Sequence, residues 1–165
     1  YEGGIRTPIM FQMPGKLEAS DRPELVSSID IFPTILAAAG ARIPEGLPGI
    51  NLLSSMQQGS NIERSHILGE GVSHDIADIK NPQASLLYRW AIEGRWKLLL
   101  TYDGEVNRYQ TTHPRTEKRP QLFDLLNDPF EKNNLAAQNP NVVQKLGGYI
   151  QSWYPADQRQ AILSY

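Results

Sequence analysis

Two loop segments of the sequence carry side chains that can bind an anionic or hydroxyl-bearing substrate. His74 stands next to Asp75 just after a short apolar run, and histidine is the side chain best able to change charge near neutral pH. A polar connection over residues 103–120 is locally basic and contains Arg115, and such a loop can select anionic substrates. We therefore take His74, Asp75 and Arg115 as candidate substrate-binding residues, against the ordinary interpretation that both segments are solvated loops.

The carboxylates of the sequence have a structural interpretation beside a chemical one. Asp30 could be a metal ligand or a general base, but a carboxylate beside a helix start usually satisfies backbone donors, so we predict a cap. Asp124, Asp128 and Glu131 lie close together, yet they lack the glycine and the ligand alternation of an EF-hand loop. We predict a turn there, and we assign no metal ligand and no catalytic residue to this chain.

Composition narrows the classes of partner. The 165 residues are 40% hydrophobic and 21% charged, with a net charge of -2, which gives no electrostatic argument for nucleic acid or a membrane surface. No apolar run approaches transmembrane length. The absence of cysteine excludes disulfides, thiolate metal sites and a cysteine nucleophile within these residues.

The first residues combine a glycine pair with an apolar run. Gly3-Gly4 permits close approaches that any side chain would forbid, so we predict a tight turn beside a ligand or a packed neighbour. The run from Ile5 to Met13 is apolar on both alternating faces, which is typical of a strand inside a two-sided sheet. Such a strand without neighbours predicts self-association through residues 5–13, or a mobile stretch.

Further along, the apolar periodicity changes between helix and strand. We predict a helix over residues 32–39 capped by Gly40, a strand near residues 66–70, and another at residues 121–125. Residues 87–102 predict a hairpin turning at 93–95, with both of its tryptophans and two tyrosines on one buried face. A last helix opens at Asn139-Pro140, with an apolar stripe that ends at Trp153 and with Gly147 and Gly148 packed closely on the sheet.

Four segments resemble, in order, the C-terminal part of the formylglycine-dependent sulfatases. They are YEGGIRTP at 1–8, SIDIFPTIL at 28–36 with Gly40, RWKL at 95–98, and LFDL at 122–125 leading to Asn127-Asp128-Pro129, Glu131 and NNL at 133–135. The family is alkaline-phosphatase-like, with a large α/β domain that holds the active site. The resemblance implies an α+β fold for this chain, an antiparallel sheet of about four strands packed on a C-terminal helix. Residues 1–55 would finish the large domain, and 56–165 would form the subdomain.

The resemblance also implies the chemistry of a longer protein. Such sulfatases hydrolyse sulfate esters with a formylglycine beside a calcium ion, and neither the nucleophile's motif nor the calcium ligands occur here. The family's catalytic lysine would fall immediately before Tyr1, which makes Glu2, Gly3, Gly4 and Arg6 a turn close to the active site. The implied partners are an upstream catalytic portion of the same protein and a sulfated small molecule or carbohydrate, and the implied location is periplasmic or secreted.

Two other functions remain open at this point. A self-standing module that recognises a carbohydrate or a protein partner could use the same subdomain. A phosphodiesterase or phosphonate hydrolase of the same superfamily could contain it as well, because a fold does not fix a function.

Overall fold

A computed structural model describes residues 1–73, 78–80, 82–102 and 118–153 of the chain. The helices are α1 (Glu2–Ile5), α2 (Ile31–Ala38), α3 (Leu53–Gln58) and α4 (Pro140–Trp153), with 3-10 turns at Ser28–Asp30 and Pro82–Ser85. The strands are β1 (Ile67–Val72), β2 (Leu86–Glu93), β3 (Trp96–Thr101) and β4 (Gln121–Asp124). None of the helices in these ranges has the length and apolar character that a membrane crossing needs.

The chain divides into two compact units. One contains Tyr1–Ile5 together with Leu68–Tyr165, and the other contains Arg6–Ile67. The predicted division of function at residue 55 stays a prediction. The first unit is built on the four strands, which form one antiparallel sheet in the order β1-β2-β3-β4. The predicted architecture, an antiparallel sheet with a C-terminal helix, is confirmed.

The hairpin of β2 and β3 has a register that differs from the predicted one. Glu93 pairs with Trp96, so only Gly94 and Arg95 form the turn, and Trp90 pairs with Leu99. Paired residues share a face, so Trp96 lies on the face opposite Trp90. The prediction of one face carrying both tryptophans is therefore wrong, because a shift of one residue in the turn moves every side chain of one strand to the other face.

The inner face of the sheet is the one that packs on α4. Its core consists of buried apolar side chains from the strands, from α4 and from residues beside them: Leu86, Ala91, Leu98, Leu100, Tyr102, Leu122, Ala136, Val143, Leu146 and Ile150. Trp153, in contrast, is 42% exposed, so the predicted stripe ends at Ile150. Gly148 is also exposed, and a Cβ on Gly147 would make only an ordinary contact of 3.9 Å with Leu98. The predicted close packing of both glycines is wrong.

The outer face of the sheet, which points away from α4, carries Tyr88 and Trp90 of β2. A Cβ on Gly69 would lie 2.1 Å from the ring of Trp90, and one on Gly71 would lie 2.6 Å from Tyr88. Glycine at these two positions of β1 leaves room for both rings. The aromatic side chains of β2 are thus accommodated within the sheet.

The second unit is organised around α2. Gly40 follows this helix with φ 68°, and the N–H groups of Gly40 and Ala41 donate to the carbonyls of Ala37 and Leu36. These two bonds form a Schellman motif, so the predicted glycine cap is confirmed. The helix α3 was not predicted.

Residues 6–13 form no strand, and the predicted strand from Ile5 to Met13 is wrong. Ile5 ends the short helix α1, and Met10 is 88% exposed. A strand needs a neighbour for its backbone groups, and the four described strands pair with one another. The self-association that rested on this strand stays a prediction.

Candidate functional site

The N-terminal segment Tyr1–Ile5 lies on the outer face of the sheet. The ring of Tyr1 meets Phe123 edge to face with centroids 5.9 Å apart, and the Tyr1 hydroxyl donates to Gln121 Oε1 at 2.7 Å. Gln121 and Phe123 alternate with the inner-face residue Leu122 along β4, which is why both point to this side. The outer face therefore holds the beginning of the chain in place.

A buried ion cluster joins this segment to the sheet. Lys97 is 1% exposed on the outer face of β3, and its Nζ lies 2.9 Å from Glu2 Oε1 and 2.8 Å from Glu131 Oε1. The backbone N–H of Glu2 also donates to Glu131. Both carboxylates are themselves buried. Buried charges are tolerated when they are paired, and here one ammonium serves two carboxylates.

Glu131 reaches the cluster from a turn of special geometry. Its φ is 52°, which is the left-handed region that a residue with a side chain seldom adopts. The turn before it is closed by Asp128, whose Oδ2 accepts the N–H groups of Lys132 and Asn133 at 2.8 Å each. These two bonds also lower the pKa of Asp128. The predicted turn is present, and it places the Glu131 carboxylate beneath Lys97.

A second ion pair fixes the end of the hairpin. Arg95 donates from two nitrogens to Asp124, one of the bonds joining Nε to Oδ1 at 2.7 Å. Asp124 also accepts from the N–H groups of Leu126 and Asn127. The hydrogen bond from Arg95 is the main reason that the pKa of Asp124 is lowered, and burial opposes it.

A third ion pair lies in the second unit. Asp30 is 0% exposed and accepts from both terminal nitrogens of Arg64 at 2.6 Å. The same carboxylate accepts the N–H groups of Ser27 at 2.7 Å and Ile50 at 2.8 Å. Asp30 therefore caps the turn before α2, as predicted, and it also fixes the connection that follows the helix.

The predicted site residues are distributed unevenly over the described chain. Glu2 is buried in the ion cluster, whereas Arg6 is exposed. Gly3 and Gly4 lie in a helical turn closed by a 2.9 Å bond from the Gly4 N–H to the Tyr1 carbonyl. Among the described residues, no atom lies within 4 Å of a Cβ placed on either glycine, so a close approach to a ligand or to another part of the protein stays a prediction. His74, Asp75 and Arg115 lie outside the described residues.

Lys97 is the residue that sequence reasoning missed. Sequence reasoning used it only as a polar member of the alternating pattern of β3 and assigned it no role. The overlooked signal was that Leu99 and Phe123, apolar residues on the same face, also needed to be covered. A lysine between covered apolar residues indicates a buried ion pair.

These three ion clusters are suited to a structural role, because each joins segments that are distant along the chain. In all three, each charge faces an opposite charge at hydrogen-bond distance. Within the described ranges, no group of three His, Cys, Asp or Glu side chains is placed to hold a metal ion. A calcium ion would need ligands that these described residues do not supply.

Known proteins that resemble this chain are sulfatases. N-acetylgalactosamine-6-O-sulfatase of Bacteroides thetaiotaomicron is 29% identical over 155 residues, covering 92% of this chain and 28% of that protein. The ulvan-active sulfatase of Formosa agariphila is 33% identical over 168 residues, covering 88% of this chain and 28% of that protein. The chain thus spans about a quarter of the length of the curated relatives it matches.

The structural comparison gives the same class. A structure from work on the metabolism of multiple glycosaminoglycans by Bacteroides thetaiotaomicron has a TM-score of 0.61 and 28% identity, covering 85% of this chain and 27% of that one. Fold and sequence together define the C-terminal part of a sulfatase. More specifically, the chain belongs to the family described as N-sulphoglucosamine sulphohydrolase, C-terminal, whose model matches residues 1–152. The resemblance drawn from the four sequence segments is confirmed.

Proposed function

We propose that the chain is the C-terminal portion of a longer hydrolase that cleaves sulfate esters. The observation that carries the proposal is the family match over residues 1–152, in a chain that spans about a quarter of its relatives. In this proposal the chain supplies scaffold and loops at the substrate entrance. The nucleophile, with its formylglycine, and the calcium ligands belong to the upstream portion.

The charges of the described residues support this division of labour. Attack on an anionic ester requires cations or a metal that stabilise the charge developing in the transition state. Lys97, Arg64 and Arg95 are each paired with carboxylates of this chain. These three cations are neutralised by their own structural partners and are poorly placed to bind a sulfate, so we expect the catalytic cations to come from the upstream portion or from residues beside it such as Arg6.

The upstream portion could also cover an exposed apolar stripe on α2 and the turn before it. Ile29, Phe32 and Ile35 follow one another at helical spacing and are each about half exposed, at 48%, 56% and 54%. An apolar stripe of this kind is a feature of interaction surfaces. We assign it to contact with the preceding part of the same protein, which the relatives possess and this chain does not cover.

For the substrate, the proposal is a sulfated carbohydrate. The names of two relatives support it, since one is a sulfatase of N-acetylgalactosamine and the other is active on ulvan. His74, Asp75 and Arg115 remain candidates for contacts with the substrate at the entrance. A periplasmic or secreted location accompanies this proposal and rests on the resemblance alone.

The test compares the longer protein with the 165-residue chain. Both are assayed on a generic aryl sulfate and on sulfated monosaccharides, with a phosphodiester as the contrasting substrate. We expect sulfate release by the longer protein only. Preferential cleavage of the phosphodiester would replace the proposal with a related hydrolase, and turnover by the purified chain alone would refute the division of roles.

A further inference from the structure

The Tyr1–Ile5 segment is held on the sheet by side-chain contacts of its first two residues. Its helix α1 is four residues long, which is too short to persist without tertiary contacts. Among the described residues, the segment is held by Tyr1, through Gln121 and Phe123, and by Glu2, through Lys97 and Glu131. The position of the segment therefore depends on these side chains.

The Glu2 attachment depends on Lys97 in particular. Glu2 and Glu131 place two carboxylates against one ammonium, and they are 129 residues apart along the chain. Without the ammonium, two buried negative charges would face each other at close range, and like charges in a low-dielectric site repel strongly. Glu131 is fixed by the Asp128 turn, so Glu2 would be the carboxylate that moves away.

The geometry of Glu131 supports the same conclusion. A non-glycine residue at φ 52° is strained, and such strain persists only where the surroundings hold the residue firmly. In return, the carboxylate reaches both the Lys97 ammonium and the Glu2 backbone N–H. Glu131 thus binds the main chain of Glu2, and Lys97 binds its side chain. The two contacts together fix both the position and the orientation of the Tyr1–Ile5 segment.

We propose that Lys97 is a positioning residue of the sulfatase, which acts through Glu2 to set the placement of the Glu2-Gly3-Gly4 turn. The proposal rests on the proposed function and on the expectation that this turn lies close to the active site. A displacement of about 1 Å beside a reacting centre can lower a rate about 100-fold. An interaction of this kind affects kcat more than KM, because it aligns groups for the reaction without contacting the substrate.

The experiment uses the longer protein with Glu2→Gln and Lys97→Met, assayed on an aryl sulfate well below the unfolding temperature. Glu2→Gln removes the charge of the attachment and leaves the Lys97–Glu131 pair intact, so it remains informative if Lys97→Met does not fold. We expect kcat to fall about 10-fold or more in Glu2→Gln, with KM within about 3-fold of the wild-type value. Amide hydrogen exchange of residues 2–5 should be faster in both variants.

The matched control is Ile150→Ala, which weakens the same unit from the inner face of the sheet. It should lower the unfolding temperature while leaving kcat and the exchange of residues 2–5 unchanged. Wild-type kcat in Glu2→Gln, or unchanged exchange of residues 2–5, would overturn the proposal. If the wild-type protein cleaves no sulfate ester, the proposed function fails. In that case, faster exchange in Glu2→Gln still supports the anchoring role of Lys97, and unchanged exchange rejects it.

Discussion

Burial of the Asp30 carboxyl acts to raise its pKa, but hydrogen bonds from Arg64 and from the N–H groups of Ile50 and Ser27 outweigh burial, and the pKa is lowered. A carboxyl group whose pKa is lower in the folded state stabilises the fold above its unfolded pKa, which is about 3.9. This contribution is lost as the pH falls through the folded pKa. The charge of Asp30 is thus part of what holds the second unit together.

The variant Asp30→Asn should therefore lose stability mainly above pH 4. We expect a loss of about 3–5 kcal/mol at pH 7, because Arg64 would keep a largely buried charge without its partner. The difference between wild type and variant should begin to shrink below about pH 4 and disappear only as the pH falls through the lowered folded pKa of Asp30. Denaturant unfolding between pH 2.5 and pH 7 measures both effects, with Glu45→Gln as control since that ion pair is exposed. A constant difference over the whole range would contradict this account.

Alanine substitutions at Ile150 and Trp153 show where the buried stripe of α4 ends. Ile150 is fully buried, so Ile150→Ala should cost about 2–5 kcal/mol. Trp153 is partly exposed and lies beside Arg89, whose guanidinium carbon is 5.4 Å from the ring centroid. Trp153→Ala should cost less than about 2 kcal/mol, since a stacked cation contributes roughly 0.5–2 kcal/mol. Equal losses in denaturant unfolding would mean that the helix buries Trp153 as well.

At the scale of elements, two glycines should respond in opposite ways to the same substitution. Gly148 lies in the interior of α4 with open space around a Cβ, so Gly148→Ala should stabilise the chain by about 0.5–1 kcal/mol. Gly40 ends α2 at φ 68°, where an L side chain is strained, so Gly40→Ala should destabilise by about 1–2 kcal/mol. Urea unfolding of both variants checks the assignment, and equal signs would contradict it.

The sheet and α4 show which structural features the apolar periodicity of the sequence could predict. Alternating apolar residues predicted β2, β3 and β4, and the stripe at helical spacing predicted α4, all close to their observed bounds. The faces of β2 relative to β3 were wrong because one turn residue decides them, and sequence did not distinguish a turn at 93–95 from one at 94–95. Trp90 and Trp96 therefore lie on opposite faces.

At the scale of the whole molecule, the prediction of self-association can be tested at two exposed apolar surfaces. The predicted site was residues 5–13, but the described structure gives α2 a row of exposed apolar side chains that includes Phe32. We expect Phe32→Glu to reduce concentration-dependent association of the chain in light scattering. Met10→Glu, at an apolar site that is even more exposed, should have little effect, and the reverse result would favour residues 5–13.

The sequence alone determined the class of protein and the kinds of element. Four short segments carried the resemblance to sulfatases, and that resemblance implied the antiparallel sheet. Apolar periodicity predicted the β2–β3 hairpin and the final helix, because these patterns lie in residues near one another in the chain. Asp30 as a cap and Asp128 as a turn former belong to the same local level.

Only the tertiary structure decided what the charged residues of those segments do. Glu2, Lys97 and Glu131 come from three separate segments and meet at 2.8–2.9 Å on the outer face of the sheet. Arg95 finds Asp124, and Arg64 finds Asp30, in the same way. A buried charge requires a partner, but the partner is chosen by the fold across up to 129 residues, which no local pattern encodes.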